Sequence, residues 1–203
     1  MPRAIPTYLE EATIPQLLRA VADNHRQCFA YNARRAGGAI HRQNGLTWTE
    51  APGAEGQVEI LFPHLSPAAA SAELDRLLAY CRERRPLRSV SCWTLLPSRP
   101  LDLGARLVAR GFEWGWQPHW MACDLSTIPD DTGRHEVVQA EGDVPNDLPY
   151  ASAGPLPRAA HQLVVLAGGR PVGHVAVNPW RGVAGIYDMG VADGWRRQGM
   201  GVR

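Results

Sequence analysis

Residues 191–203 read VADGWRRQGMGVR and begin at the last residue of a predicted strand over Val183–Val191. Glycines let a backbone approach a ligand closely and point successive N–H groups at one spot. The start of a helix after such a turn adds unpaired amides and a partial positive charge. Because Arg196 and Arg197 stand beside these glycines, the segment predicts a site for a pyrophosphate group.

The strands before this segment give the motif its context. The stretch Gln162–Asn178 predicts two strands joined by a Gly-Gly turn, which is a hairpin signal. In this order, Arg196-x-x-Gly199-x-Gly201 resembles the acetyl-CoA pyrophosphate loop of the GNAT superfamily of N-acetyltransferases, whose pattern is Arg/Gln-x-x-Gly-x-Gly/Ala. The hairpin and the strand after it are similar to the second, third and fourth strands of that family. The resemblance covers about residues 135–203.

The resemblance implies an α/β fold of the α+β type, with a mixed, mostly antiparallel sheet flanked by helices. It implies an acyltransferase that moves an acetyl group from acetyl-CoA, as co-substrate, to a primary amine, without a metal. In such enzymes the amine attacks the thioester directly, and a carboxylate or a water chain removes the proton. The acceptor stays open between a small amine, a peptide amino terminus and a protein lysine.

The resemblance also implies roles for the residues around the loop. The backbone of Met189 and Val191 would pair with the pantetheine arm as an added strand. Asp188 is the candidate catalytic base and points away from Met189 by strand alternation, with a solvated or structural carboxylate as the alternative. The residues implied for cofactor binding are Met189, Val191, Arg196, Arg197, Gln198, Gly199, Met200 and Gly201.

Only Val202 and Arg203 follow the loop in this sequence. The family continues at this point with a helix, a splayed fifth strand that opens the pantetheine slot, a fourth helix and two closing strands. We therefore expect a truncated or interrupted acetyltransferase domain with little activity of its own. We also expect self-association through the edge of Val183–Val191, because an unpaired strand edge is a template for pairing.

The first half of the chain shows a second, weaker resemblance. A strand at Val58–Phe62, a helix over 67–84, a strand over 90–96 and a helix over 103–110 follow the order of the latter part of a GNAT domain. The segment 63–73 lacks the Arg-x-x-Gly-x-Gly pattern. We interpret this half as a degenerate, GNAT-like domain.

Turn formers and polar residues over 126–134 interrupt all periodicity and predict a linker. The predicted domains are therefore residues 1–125, the degenerate GNAT-like domain, and residues 135–203, the incomplete acetyl-CoA-binding domain. The second domain begins with a predicted strand over 135–140.

Local signals predict further elements in the first half. Thr7 is a plausible cap for a helix over 8–32, and Ser66 for the helix over 67–84. Asn44-Gly45 predicts a hairpin turn. The segment 113–125 predicts one or two aromatic strands, and its tryptophans at positions 114, 116 and 120 read as packing residues.

Two other functions compete with acetyl transfer. One is a non-catalytic, GNAT-like binding or regulatory protein that keeps the fold without the reaction. The other is a Rossmann-type nucleotide-binding fragment, which is the weaker reading because its glycine fingerprint begins directly at the strand end. Here residues 192–198 separate Val191 from Gly199. His161 and His174, on predicted strands, have no partner at a recognisable spacing and read as structural residues.

Composition excludes several classes of protein. The 203 residues are 45% hydrophobic and 20% charged, which is ordinary for a globular protein. The 21 basic residues are all arginines and are balanced by 20 acidic ones, so we expect no nucleic-acid partner. No apolar run is long enough to span a membrane, and no signal peptide opens the chain, so we expect a cytoplasmic protein without a membrane partner. The four cysteines show no zinc spacing.

Overall fold

Contacts divide the chain into two units, Ile14–Trp120 and the residues on either side of that range. The predicted linker over 126–134 lies outside the described residues, so the predicted domain boundaries stay a prediction. The computed structural model describes residue 9 and residues 11–51, 57–83, 89–118, 120–124, 135–140, 147–149 and 160–199.

The first unit begins with the long helix α1 (Ile14–Arg35). The sequence predicts this helix from residue 8, but residues 11–13 are not helical, and the predicted cap Thr7 lies outside the described residues. Pro15 explains the later start, because a proline has no N–H to donate and is favoured in the first turn of a helix.

The sheet of this unit has the order β1-β2-β3-β4. The first three strands pair antiparallel, and β4 pairs parallel to β3. The predicted hairpin is confirmed: Asn44 and Gly45 have φ values of 48° and 82°, as a type I′ turn requires. The strands are β1 (Ala39–Gln43), β2 (Leu46–Glu50), β3 (Gln57–Leu61) and β4 (Ser89–Trp93).

Two helices flank β4 in the chain, α2 (Ala70–Glu83) before it and α3 (Leu103–Val108) after it. The sequence predicts α2 from residue 67, but residues 67–69 form a turn that precedes it. Ser66 accepts a hydrogen bond from the Ala69 amide at 3.3 Å, so the predicted cap acts on this turn. α3 is predicted over 103–110 but ends at Val108, and a turn leads from it to Gly111, whose φ of 86° favours glycine.

The predicted aromatic strands over 113–125 are wrong for the part that the structure describes. Residues 113–118 and 120–124 contain no strand. Trp114 and Trp116 are 70% and 79% exposed, and the ring of Trp116 lies edge-on against Trp93 of β4, with 5.7 Å between centroids. Trp120 contacts the buried His25, with 5.1 Å between ring centroids.

The core of the first unit lies on both faces of the sheet. On one face, Val58 and Ile60 pack against Leu74 of α2 and Leu103 of α3, and all four are buried. The neighbouring Leu61 belongs to a second cluster with residues of α1, because successive side chains of a strand point to opposite faces. Two layers of helix thus enclose the sheet.

The second cluster contains a buried histidine among aromatic rings. His25 is 4% exposed and stacks on Phe29, with 4.1 Å between ring centroids. The rings of Phe62, Trp93 and Trp120 each lie 5.1 Å away. Burial lowers the pKa of His25 to about 4, because the charged imidazolium loses its hydration there.

The second unit contains an antiparallel sheet in the order β5-β6-β7-β8. All four strands confirm the sequence prediction, as does the turn at Gly168-Gly169 between β6 and β7. One face carries a small core in which Leu148 and Val164 are buried. The strands are β5 (Glu136–Gln139), β6 (His161–Ala167), β7 (Arg170–Trp180) and β8 (Val183–Val191).

None of the described helices is long and apolar enough to cross a membrane. The four cysteines are free thiols. Cys28 and Cys81 are buried, Cys92 is half-buried and Cys123 is exposed.

Candidate active site

A β-bulge lies in β8 at the predicted catalytic residue. The register with β7 places two residues of β8, Asp188 and Met189, opposite the single residue Val175. Asp188 has a φ of 50°, in the left-handed region that non-glycine residues rarely adopt. Both side chains are exposed, so the bulge interrupts the alternation from which the sequence predicts opposite directions for them.

β8 is an edge strand of its sheet among the described residues. Its inner edge pairs with β7, where Val191 lies opposite Gly173. The Val191 carbonyl accepts a hydrogen bond from the Nε of Arg196 at 3.1 Å. The strand end that the sequence predicts for pantetheine binding is therefore already in contact with the loop that follows it.

The loop after β8 turns back through a short 3₁₀ helix, Asp193–Trp195. Arg196 contacts the carboxylate of Asp193 at 3.0 Å through its Nη2. Gln198 donates from its side-chain amide to the Gly194 carbonyl at 3.0 Å. These local bonds hold the loop in a defined shape, although its side chains are exposed.

Two residues of the loop have left-handed backbone conformations. Arg197 has a φ of 62° and Gly199 a φ of 84°. A Cβ at Gly199 would meet nothing within 4 Å. Position 199 therefore requires glycine because of its left-handed backbone conformation. Lack of space for a larger side chain is not the reason. The predicted binding residues Met200 and Gly201 lie outside the described residues.

The loop also contacts the first strand of its sheet. The Nε2 of His135, the residue before β5, lies 3.3 Å from the Gln198 carbonyl oxygen. A carbonyl can only accept, so this ring nitrogen carries the hydrogen. Sequence reasoning missed this contact, since the two residues are distant in the chain and no motif links them.

A second group that sequence reasoning missed lies on the core side of β7. His174 is buried, and its Nε2 is 2.7 Å from the Pro149 carbonyl oxygen. Its Nδ1 is 3.1 Å from the side-chain amide nitrogen of Gln162. Gly190, opposite His174 in β8, has no room for a side chain, since a Cβ would lie 2.0 Å from the Pro149 oxygen. A lone histidine on a strand carries no spacing signal that could have predicted this network.

Direct hydrogen bonds join the segments that follow β3 and β4 in the first unit. Beyond the paired residues of β3 and β4, the Phe62 amide donates to the Trp93 carbonyl at 2.8 Å. The Leu65 amide donates to the Arg99 carbonyl at 3.2 Å. Backbone hydrogen bonds thus hold the segments after β3 and β4 together at these two points.

The described residues contain no group of three or more His, Cys, Asp or Glu side chains that could hold a metal ion.

The fold is that of a GNAT acetyltransferase. A GCN5-related N-acetyltransferase from Kribbella flavida superposes with a TM-score of 0.64 over 90% of this chain and 77% of its own, at 15% sequence identity. No protein-family model and no curated protein sequence matches the chain.

Proposed function

We propose that the second unit is an acetyl-CoA-dependent N-acetyltransferase domain that acetylates a primary amine of a small molecule or protein. The observation that carries the proposal is the bulge at Asp188–Met189 followed, one loop later, by left-handed residues at 197 and 199. A bulge re-aims backbone groups beside a site, and left-handed residues aim successive amides at one point. Both devices occur here on one strand-loop segment.

The outer edge of β8 would bind the pantetheine arm as an added strand through the backbone of Met189 and Val191. The contact between Arg196 and the Val191 carbonyl does not prevent this, because a carbonyl oxygen has two lone pairs. The bound acetyl-CoA supplies an activated acetyl group as its thioester. The residues of the strand would hold that group in place and fix the direction from which the amine approaches it.

The loop would bind the pyrophosphate. The amides of Gln198 and Gly199 are the described donors, and Met200 and Gly201 complete the proposed set. Arg196 and Arg197 add positive charge next to these amides, and guanidinium groups bind phosphate oxygens in a bidentate manner.

Asp188 is the proposed general base. Asp188 is exposed at the bulge, directly before Met189 and Val191, the strand residues proposed to bind the pantetheine arm. An exposed carboxylate can take a proton from an attacking amine directly or through one water.

The test compares two glycines of the same loop. Gly199→Ala puts a side chain on a left-handed residue, whereas Gly194→Ala places one in equally open space at a residue without a positive φ. We expect Gly199→Ala to weaken acetyl-CoA binding in calorimetry about tenfold, and Gly194→Ala to leave it within twofold. Release of free CoA in the presence of benzylamine, spermidine and a lysine-containing peptide measures transfer. Equal binding by both variants contradicts the loop assignment.

A non-catalytic binding protein is the second candidate. The guanidinium of Arg196 is already bonded to Asp193 and to the Val191 carbonyl. These existing contacts favour a binding protein over an enzyme that uses this guanidinium for phosphate. Folded wild-type protein that binds no acetyl-CoA in calorimetry would support this candidate over the enzyme.

A further inference from the structure

We infer that His174 is a positioning residue that holds segment 147–149 over the bulged strand as a wall of the acceptor amine's binding site. This inference rests on the proposed function. It concerns a buried histidine that the resemblance to acetyltransferases does not use.

The two contacts of His174 are compatible with one tautomer of the neutral ring. The Pro149 carbonyl accepts, so Nε2 carries the hydrogen across the 2.7 Å contact. In the neutral ring Nδ1 then accepts, and the side-chain amide of Gln162 donates to it at 3.1 Å. Both ring nitrogens are satisfied in a residue that is 4% exposed, which makes the orientation of the ring costly to change.

This histidine acts at the position next to the bulge. His174 pairs with Gly190, which directly follows Asp188 and Met189. The Pro149 oxygen lies over Gly190 so closely that a Cβ there would be 2.0 Å from it. The segment 147–149 therefore contacts β8 at the residue that directly follows the bulge, and His174 is the side chain that bonds it there.

Leu148 gives the segment a second anchor. It is 5% exposed and packs in the apolar cluster that contains Val164. Burial of Leu148 holds the segment on the sheet, but apolar contacts are not directional. The hydrogen bond from His174 sets where the Pro149 carbonyl lies, and hence the distance between this wall and the strand.

A wall at this point would affect binding of the acceptor amine and not binding of acetyl-CoA. The proposed cofactor contacts lie on the outer edge of β8 and in the loop 196–199, whereas His174 lies on the inner side, between β6 and β8. A displaced wall would change how well an amine is held near Asp188 while leaving those contacts intact.

The experiment uses two amides of different length at position 174 in the full chain. In His174→Gln the side-chain nitrogen reaches the position of Nε2 and can still donate to Pro149. In His174→Asn the amide reaches only to the position of Nδ1, so the bond to Pro149 is lost. Both variants remove the imidazole. A difference between their properties therefore reports the effect of the hydrogen bond to the Pro149 carbonyl.

We expect three results for His174→Asn. Hydrogen exchange of the Leu148 amide increases about tenfold, as loss of one buried hydrogen bond predicts. The KM for the amine among benzylamine, spermidine and a lysine-containing peptide that wild type acetylates best rises about tenfold, with kcat within threefold. The dissociation constant of acetyl-CoA stays within twofold. His174→Gln remains near wild type in all three.

Other results separate this inference from the proposed function. Faster exchange with an unchanged amine KM overturns the acceptor role, and equal exchange in the two variants overturns the positioning role. Wild-type protein that binds acetyl-CoA but acetylates none of the three probes also overturns the acceptor role. Absence of acetyl-CoA binding by wild type rejects the proposed function, whereas the exchange comparison still decides whether His174 positions the segment.

Discussion

The imidazole of His25 stacks on the ring of Phe29 with 4.1 Å between centroids and 24° between planes, inside a cluster of aromatic side chains. The cluster excludes water, so this histidine is neutral in the folded protein at neutral pH, and its pKa is lowered to about 4. Stability therefore depends on pH through a residue of the first unit, whereas the proposed chemistry belongs to the second.

We expect the free energy of unfolding to fall as the pH drops from about 6.5 to 4. In the unfolded chain His25 binds its proton near pH 6.5, whereas in the folded chain it resists protonation down to about pH 4. Protonation thus favours the unfolded chain throughout this interval, by on the order of 3 kcal/mol at its lower end. Urea unfolding of the wild type and of His25→Phe between pH 4 and 7 measures this change of unfolding free energy with pH. The exposed His64→Gln is the control, and an unchanged pH dependence in His25→Phe contradicts the prediction.

Gly190→Ala tests the close approach of Pro149 to β8. The new Cβ would meet a backbone carbonyl at 2.0 Å, which no side-chain rotation can relieve. We expect the unfolding free energy to fall by about 1–3 kcal/mol, which is the typical cost of overpacking in a protein core. Gly194→Ala, in open space, is the matched control, and thermal unfolding of the two variants compares them. A Gly190→Ala protein as stable as this control would show that segment 147–149 does not lie there in solution.

Arg197 allows charge and backbone conformation to be separated. Arg197→Asn and Arg197→Val remove the same charge, but asparagine tolerates a φ of 62° and β-branched valine does not. We expect both to weaken acetyl-CoA binding severalfold in calorimetry, and only valine to lower the unfolding free energy, by about 1 kcal/mol. Unchanged binding by Arg197→Asn would show that the charge is not used.

The edge of β8 predicts self-association, which we propose as a second property of this unit. Ile186 is 68% exposed on this edge strand, and paired edges favour apolar, uncharged residues. Sedimentation velocity over a range of concentrations should show dimers that Ile186→Lys abolishes. Val137→Lys, at a 45% exposed residue of β5 on the opposite edge, should not abolish them. Dimers that persist in Ile186→Lys would place the contact elsewhere.

Local patterns predicted most of the secondary structure. Asn44-Gly45 and Gly168-Gly169 combine residues that tolerate positive φ, so the hairpins at these positions are readable from neighbouring residues alone. The long apolar alternation of β6, β7 and β8 is equally local. Helix starts were less accurate: α1 and α2 begin several residues later than predicted, because prolines and turn hydrogen bonds shift the first helical residue.

The failure at 113–125 has a different cause. The aromatic spacing over 113–125 is that of a strand, but the described residues of this segment pair with no neighbouring strand. Trp120 packs instead beside His25 of α1. A strand needs a partner for its hydrogen bonds, and the choice of partner depends on residues far away in the chain.

The sequence by itself determined the strand order of the second unit and the glycine-arginine loop after it, because strand alternation and turn conformation depend on neighbouring residues. Only the tertiary structure decided that β8 bulges at Asp188 and that the Pro149 carbonyl lies against Gly190. It also decided that a direct hydrogen bond joins Leu65 to Arg99 in the first unit. Each of these depends on the register between segments distant in the chain. Register is set by packing and hydrogen bonds that form together on folding, and no local pattern encodes it.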